Sequence, residues 1–487
     1  MTTDSPSKVT YLTSKIFPNA SKLKESLALG ISFDTGVRIF QIHKTEVHLY
    51  YVNGLIDTNF IQRVIEDLVE INQIEINNKS VFSSIEERIV HHSVESVQTI
   101  EDVTKKVLSG LMVIVVDGED RALVVDVRSY PGRGSMEPDT ERVVRGARDG
   151  FVENIIMNTG LIRRRIRDPK LRNEILQVGA RSKMDVCISY IEGLANPDLV
   201  KDLKDKMKNI DVEGMAMADK KLEEFLLKQS FNPFPLVRYS ERPDVIATHI
   251  FEGHVAIIVD TSPSVIITPA TYYHHMQHAE EFRQAPVVGT FLRWVRYLGI
   301  FISIFLLPFW LLLCMKPEIL PAHLSYIGPK ETSNIPIYLQ LIIADLGIEF
   351  LRMASIHTPN AVSTSMGIIA AVLIGQVAID VGLFQPEVVL YTAVSMIGSY
   401  ATPSYELALA NKLAKFGILI LTAILGVKGF IIGSTIFILL LTSITTFNTP
   451  YLWPFIPFDG LAFYHFIIRT NSSKTKKGGK TIEDATL

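Results

Sequence analysis

The sequence predicts a chain of two unlike halves: an α/β N-terminal half built from two related α/β subdomains, followed by an all-α polytopic membrane domain. Three observations predict it. Charge is distributed unevenly, the polar half contains an internal duplication, and the apolar half opens on a long uncharged run. Of 487 residues, 48 are Lys or Arg and 51 are Asp or Glu, giving a formal net charge of −3. That balance excludes a globally basic nucleic-acid binder and an acidic disordered chain. Between Tyr297 and Thr470 there are only 7 basic and 8 acidic residues, so nearly all the charge lies before residue 297. The two cysteines, Cys187 and Cys314, are too few for a disulfide scaffold or a Cys-rich zinc module and fit a reducing compartment. The opening stretch MTTDSPSKVTYLTSK lacks an apolar core, so no cleaved signal peptide is expected.

After a tail at 1–29, the duplication defines the soluble half. Residues 47–64, VHLYYVNGLIDTNFIQRV, match 186–203, VCISYIEGLANPDLVKDL: Tyr51 with Tyr190, Gly54 with Gly193, Leu55 with Leu194, all at an offset of 139. Residues 110–127, GLMVIVVDGEDRALVVDV, match 253–270, GHVAIIVDTSPSVIITPA, at an offset of 143. Each copy reads as a β-rich strand, a Gly turn, a polar helix and a strand–turn–strand hairpin. Asp117-Gly118 and Ser262-Pro263 supply the hairpin turns. The subdomains are placed at 30–135 and 175–290, the second including the link to the membrane.

A charged connector, 136–174, separates them. Residues 139–166 read as helical in two pieces joined at Arg145 to Gly150. Arg163, Arg164, Arg165 and Arg167 suit phosphate, lipid headgroups or the acidic surface of a neighbouring subunit. They equally suit a solvated helix end paired with Asp168 and Glu174.

The membrane half spans 291–470. Leu298 to Met315 is an uncharged run of 18 residues, near the lower limit for crossing a bilayer. Trp294, Tyr297 and Trp310 suit interfacial belts. Arg283, Arg293 and Arg296 precede the run and place the N-terminal half in the cytoplasm. Ile335 to His357 follows, with Asp345, Glu349 and Arg352 on one helical face. That face packs inward, lies in the interface, or enters and returns. Ala361 to Phe384 carries Gly367, Ala371 and Gly375 at four-residue spacing, a face for close helix packing, with Gln376 and Asp380 near its end. Glu387 to Ala410 contains an apolar stretch broken by ATPSYE, where Pro403 disrupts the helix near Glu406. Phe416 to Phe447 is 32 residues, too long for one span, and the Gly426-Val427-Lys428-Gly429 break suggests two helices or a kink. Lys412 and Lys415 favour a cytoplasmic turn, and the basic polar tail, 471–487, a cytoplasmic end. Both ends inside require an even number of crossings, four or six.

Enzyme signatures are missing: the sequence has no GxxxxGK[ST], GxSxG or HExxH motif. His274, His275 and His278 form a cluster, HHMQH, that reads as a pH-sensitive or headgroup-facing helix end more readily than as a metal site. No metal, cofactor or catalytic residue is expected.

The motifs ERVVRGARDGFVEN (141–154), TGLIRRRIRDPKL (159–171), GIEFLRMASIHTP (347–359), ATPSYELALA (401–410) and TPYLWPF (449–455) together resemble the A subunits of the GerA-type spore germination receptors. The resemblance runs from about Leu27 to Thr470. FPLVRYSERPDV, DTSPSVIITPATYYHHMQHAEEFRQ and TFLRWVRYLGIF are most similar to the sporulation-protein branch of that family. Met353 and His357 stand where the family has an acidic and a basic residue.

The resemblance implies a protein of the inner spore membrane with its soluble half facing the spore core. It implies a homo-oligomer, a pentamer in the family, that forms an ion-conducting channel during germination beside other germination membrane proteins, and that amplifies the response. Asp345, Glu349, Arg352, Gln376, Asp380 and Glu406 are the pathway candidates, because ionisable groups among apolar spans mark pathways or paired structural sites. A transporter, or a scaffold that clusters other germination proteins, is the alternative. The membrane half has no inverted repeat of the kind a transporter needs.

Overall fold

The computed structural model describes residues 9–72, 80–89, 91, 93–130, 141, 143–215, 217–227, 229, 231–320, 323, 327–329, 335–357 and 371–470. The chain divides into two compact units. Residues up to Gln229 together with Tyr239–Pro269 form one, and Ser230–Arg238 with Ala270–Lys477 the other.

The first unit is a duplication of nine elements. Copy one runs α1 (Ile16–Ser26), β1 (Thr35–Ile42), β2 (Thr45–Val52), α2 (Thr58–Ile71), α3 (Val81–Arg88), β3 (Val94–Val97), α4 (Ile100–Leu108), β4 (Met112–Val116) and β5 (Ala122–Val125). Copy two repeats the order as α5 (Ile155–Arg165), β6 (Leu171–Val178), β7 (Met184–Ile191), α6 (Pro197–Lys208), α7 (Ala218–Leu227), β8 (Arg238–Ser240), α8 (Pro243–Phe251), β9 (Val255–Val259) and β10 (Val265–Thr268). The sheets have strand orders β1-β2-β4-β5-β3 and β6-β7-β9-β10-β8. Register repeats as well: Tyr50 faces Val113 and Ser189 faces Ala256, the same pairing displaced by 139 and 143.

Period-2 alternation builds the layers. Val113 and Val115 turn toward Leu23 of α1 and Val103 and Val107 of α4. Met112, Ile114 and Val116 turn to the other face, toward Ile61, Val64 and Leu68 of α2 and Phe82 and Ile85 of α3. In copy two, Cys187, Ala256 and Ile258 pack with Leu161 and Ile162 of α5 and Ile246 and Ile250 of α8. Burial pushes the Cys187 thiol up, so that sulfur is an inert core atom.

The repeat is wider than the sequence reading drew it. Asn19 accepts from the Thr13 N–H at 3.0 Å and donates to its carbonyl at 2.6 Å, and Asn158 treats Val152 alike at 2.9 and 2.5 Å. Asp117 accepts from the Ile16 N–H at 2.9 Å, and Asp260 from the Ile155 N–H at 3.1 Å. Both turn aspartates thus satisfy a free donor at a helix N-terminus. So α1, read as tail, opens the first copy, and α5, read as connector, opens the second. Helix is confined there to Ile155–Arg165, and the described residues of 141–154 are non-helical.

The second unit is helical: α9 (Ala279–Arg283), α10 (Pro286–Met315), α11 (Ile337–His357), a π-helical stretch Ala371–Val377 continued by a turn at Ala378–Asp380, α12 (Pro386–Tyr400), α13 (Tyr405–Leu425), α14 (Val427–Ser443) and α15 (Gly460–Ile467). A two-stranded hairpin of β11 (Thr445–Thr446) and β12 (Thr449–Pro450) precedes α15. Among the described residues α10 and α13 are long and apolar enough to cross a membrane, and α14 is a shorter apolar helix. The Phe416–Phe447 stretch is two helices. Gly426, at φ +60° and ψ −131°, makes the break in a conformation open to glycine alone, and Gly433 then packs onto Ile418.

Candidate functional site

α11 stacks Asp345, Glu349 and Arg352 on one face, and α13 lays two lysines against them. Lys415 Nζ lies 2.8 Å from Asp345, with side chains 4% and 2% exposed. Lys412 Nζ lies 2.6 Å from Glu349 and 3.9 Å from Asp345. Arg352 Nε donates to Glu349 at 3.1 Å, and its guanidinium lies 5.1 Å from the Tyr405 ring centroid. Three cations meet two carboxylates, so both carboxylates are neutralised and one positive charge is left over between two apolar helices. Sequence reasoning assigned Lys412 and Lys415 to a cytoplasmic turn; they lie inside α13 instead. Their three-residue spacing puts both on one helical face, but nothing local in the sequence names the acidic stripe they meet 63 and 70 positions away.

The other pathway candidates stand apart. Gln376 and Asp380 are exposed. Glu406 is exposed in the first turn of α13, where the helix dipole favours a carboxylate, and accepts from the N-cap Ser404 hydroxyl at 3.0 Å. Of the small-residue face, Gly367 lies outside the described residues, Ala371 begins a π-helix, and Gly375 has nothing among the described residues within 4 Å of an added Cβ. The close glycine contacts fall elsewhere: Gly299 of α10 meets Gly398 of α12, and Gly429 and Gly433 of α14 meet α13.

The interfacial arginines are also engaged. Arg293 pairs with the buried Glu281 at 2.6 Å, and Arg296 pairs with the same carboxylate. Arg293 also donates to the His465 and Phe466 carbonyls at 2.9 and 2.8 Å, capping the C-terminal end of α15.

In the first unit the arginine cluster disperses. Arg163 is buried against Asp34, Nε to Oδ2 2.8 Å, both side chains 1% exposed. Arg164 lies 4.7 Å over the Tyr130 ring, Arg165 pairs with Asp149 at 2.5 Å, and Arg167 is exposed. Glu174, read as an arginine partner, binds Lys204 at 2.7 Å and Tyr190 at 2.5 Å.

HHMQH is not one helix face. His274 and His275 sit in a 3-10 turn, and His278 N-caps α9 by accepting from the Glu280 N–H at 3.2 Å. Burial, with Arg238 nearby, pulls His275 down to about 3, so it stays neutral. A different histidine group is assembled in the second copy: His249, Glu252 and His254 bring one potential ligand atom each to within 4.8 Å of one another. Its sequence trace, HIFEGH, has no one-face helical spacing, because the two histidines straddle the end of α8.

A family model described as Bacillus/Clostridium GerA spore germination protein matches residues 21–480. Stage V sporulation protein AF of Bacillus subtilis (strain 168) is 55% identical over 452 residues, 93% of this chain and 92% of that one. Spore germination protein KA of the same organism is 30% identical over 438 residues, 88% of this chain and 80% of that one. The crystal structure of the N-terminal domain of the A subunit of the Bacillus megaterium spore germinant receptor GerK3 is similar at 29% identity and a TM-score of 0.43, covering 54% of this chain and 98% of that one.

Proposed function

Because the chain belongs to the GerA spore germination protein family, we propose that it is a non-enzymatic membrane subunit that oligomerises into an ion-conducting channel, releases monovalent cations and amplifies germination. It works in the spore inner membrane with other germination proteins, its α/β half on the cytoplasmic side. The observation that carries this reading is the sorting of polar groups in the apolar unit. The carboxylates of Asp345 and Glu349 are compensated internally by Lys415, Lys412 and Arg352, whereas Gln376, Asp380 and Glu406 are left exposed on one chain. Exposed carboxylates are costly against lipid, which supports their facing a water-filled path between copies.

The test is cation flux from liposomes holding the purified protein, compared with Asp380→Asn and Glu406→Gln. Flux above empty liposomes, altered by either substitution, is expected. A folded, oligomeric protein that passes no ions would overturn conduction by this chain alone. It would favour the scaffold reading, which the neutralised carboxylates between α11 and α13 also support.

A further inference from the structure

We propose that His249, Glu252 and His254 form a binding site for one divalent metal ion of the zinc class. The site is built by a helix end. α8 closes with Gly253 at φ +90°; the Gly253 N–H bonds the Ile250 carbonyl at 3.2 Å and the His254 N–H bonds the His249 carbonyl at 3.0 Å. This closure folds the residue after the glycine back onto the last helical turn. It brings the His249 and His254 rings to 4.9 Å between centroids, at 75°.

The first copy supplies an internal control. α4 ends the same way: Gly110 has φ +86°, its N–H bonds Val107 at 2.9 Å, and the Leu111 N–H bonds Lys106 at 3.2 Å. The positions of His249, Glu252 and His254 are held there by Lys106, Ser109 and Leu111. The fold therefore asks only for an aliphatic side chain at the packed position. The second copy instead has three ligand-forming residues around one helix end.

Their orientation suits a cation. His254, 1% exposed, bonds the Pro269 carbonyl through Nδ1 at 2.9 Å. A carbonyl only accepts, so Nδ1 carries the proton and Nε2 is the unprotonated ring nitrogen, the tautomer of metal-bound histidines. His249, 4% exposed, has Nδ1 3.2 Å from a Glu252 carboxylate oxygen. Metal–ligand distances of about 2.1 Å put neighbouring atoms of a tetrahedral set roughly 3.4 Å apart. The His249–Glu252 pair is already near that spacing, the full set lies within 4.8 Å, and the exposed Glu252 side chain is the one with room to move. The carbonyl-rich end of α8 adds partial negative charge. Two imidazoles and one carboxylate select a borderline ion such as Zn²⁺ over Mg²⁺ or Ca²⁺, which take oxygen ligands. Bound there, the ion ties the end of α8 to the start of β9.

The test uses untagged full-length protein in detergent, stripped with chelator and titrated with Co²⁺, whose tetrahedral complexes absorb strongly in the visible. One Co²⁺ per chain, displaced by Zn²⁺, is expected. His254→Leu, which installs the first copy's residue, should weaken binding by more than about tenfold, and Glu252→Gln should weaken it as well. His249→Lys, also taken from the first copy, replaces His254→Leu if the latter misfolds. Absence of a saturable band, or a band of full strength in the histidine variants, would overturn the proposal.

Discussion

Asp34 and Arg163 are 129 positions apart and meet with both side chains almost fully buried. Asn173 adds a bond to the same carboxylate at 3.0 Å, and Arg163 also donates to the Leu171 carbonyl at 3.2 Å. The pair therefore joins a loop of copy one to the first helix and strand of copy two. Removing one partner strands a buried charge, so Arg163→Met should cost about 3–5 kcal/mol. Asp34→Leu combined with Arg163→Met should recover part of that loss, because it leaves no charge behind, although Asn173 Nδ2 and the Leu171 carbonyl lose their partners. Thermal unfolding of the full chain in detergent checks both; a double variant as unstable as the single would show that the pair does not act as a unit. None of this was legible in the sequence, where 163–167 reads as one basic cluster. Successive helical residues point about 100° apart, so Arg163, Arg164 and Arg165 meet an aspartate, a tyrosine ring and a second aspartate, and Arg167, past the end of α5, meets solvent. Long-range partners leave no local trace, and the same limit hid Lys412 and Lys415 from Glu349 and Asp345.

The duplication, by contrast, was legible, because β2, β4, β7 and β9 are short buried strands whose apolar pattern survives divergence. What the pattern missed was the opening helix of each copy. α1 and α5 share little beyond Ile16 with Ile155 and Asn19 with Asn158, and the contacts that equate them run through backbone. In the helical unit, the break at Gly426 was readable from glycine spacing, but which small face packs was not. Gly433 has Ile418 Cα 3.1 Å and Leu421 Cδ1 3.3 Å from an added Cβ, whereas Gly375 has nothing among the described residues within 4 Å. Gly433→Leu should therefore splay α13 from α14 and destabilise the protein by about 1–3 kcal/mol. Gly375→Leu should leave the stability of a single chain unchanged. Melting temperatures of the two variants in detergent separate the faces; equal losses would mean that Gly375 also packs. Unchanged melting with lost oligomers in Gly375→Leu would place that face between copies.

Over the whole molecule, the two units differ in what they show to their surroundings. The helical unit exposes Phe291, Leu298 and Phe301 on α10, Ile397 on α12, Ile424 on α13 and Ile431 and Leu439 on α14, while Asp345 and Lys415 are buried between α11 and α13. This is the inverse of the first unit, where the apolar strands are covered by helices. An exposed apolar surface spread over several helices is stable only against an apolar solvent or a partner. The location of a substitution should then decide its cost more than its exposure does. Phe301→Lys, exposed on α10 in the first turn of the Leu298–Met315 run, should lower insertion, by less than the roughly 2.5–3.5 kcal/mol that a lysine costs at the centre of a span. Phe17→Lys, at a position 80% exposed in α1, should stay within about 0.5 kcal/mol of the parent. The measurement is the fraction of each protein that resists alkaline extraction from membranes. A loss confined to Phe301→Lys places the α10 face in hydrocarbon. Equal retention would put water or polar protein there, and the membrane reading of the helical unit would then have to rest on α13 and α14.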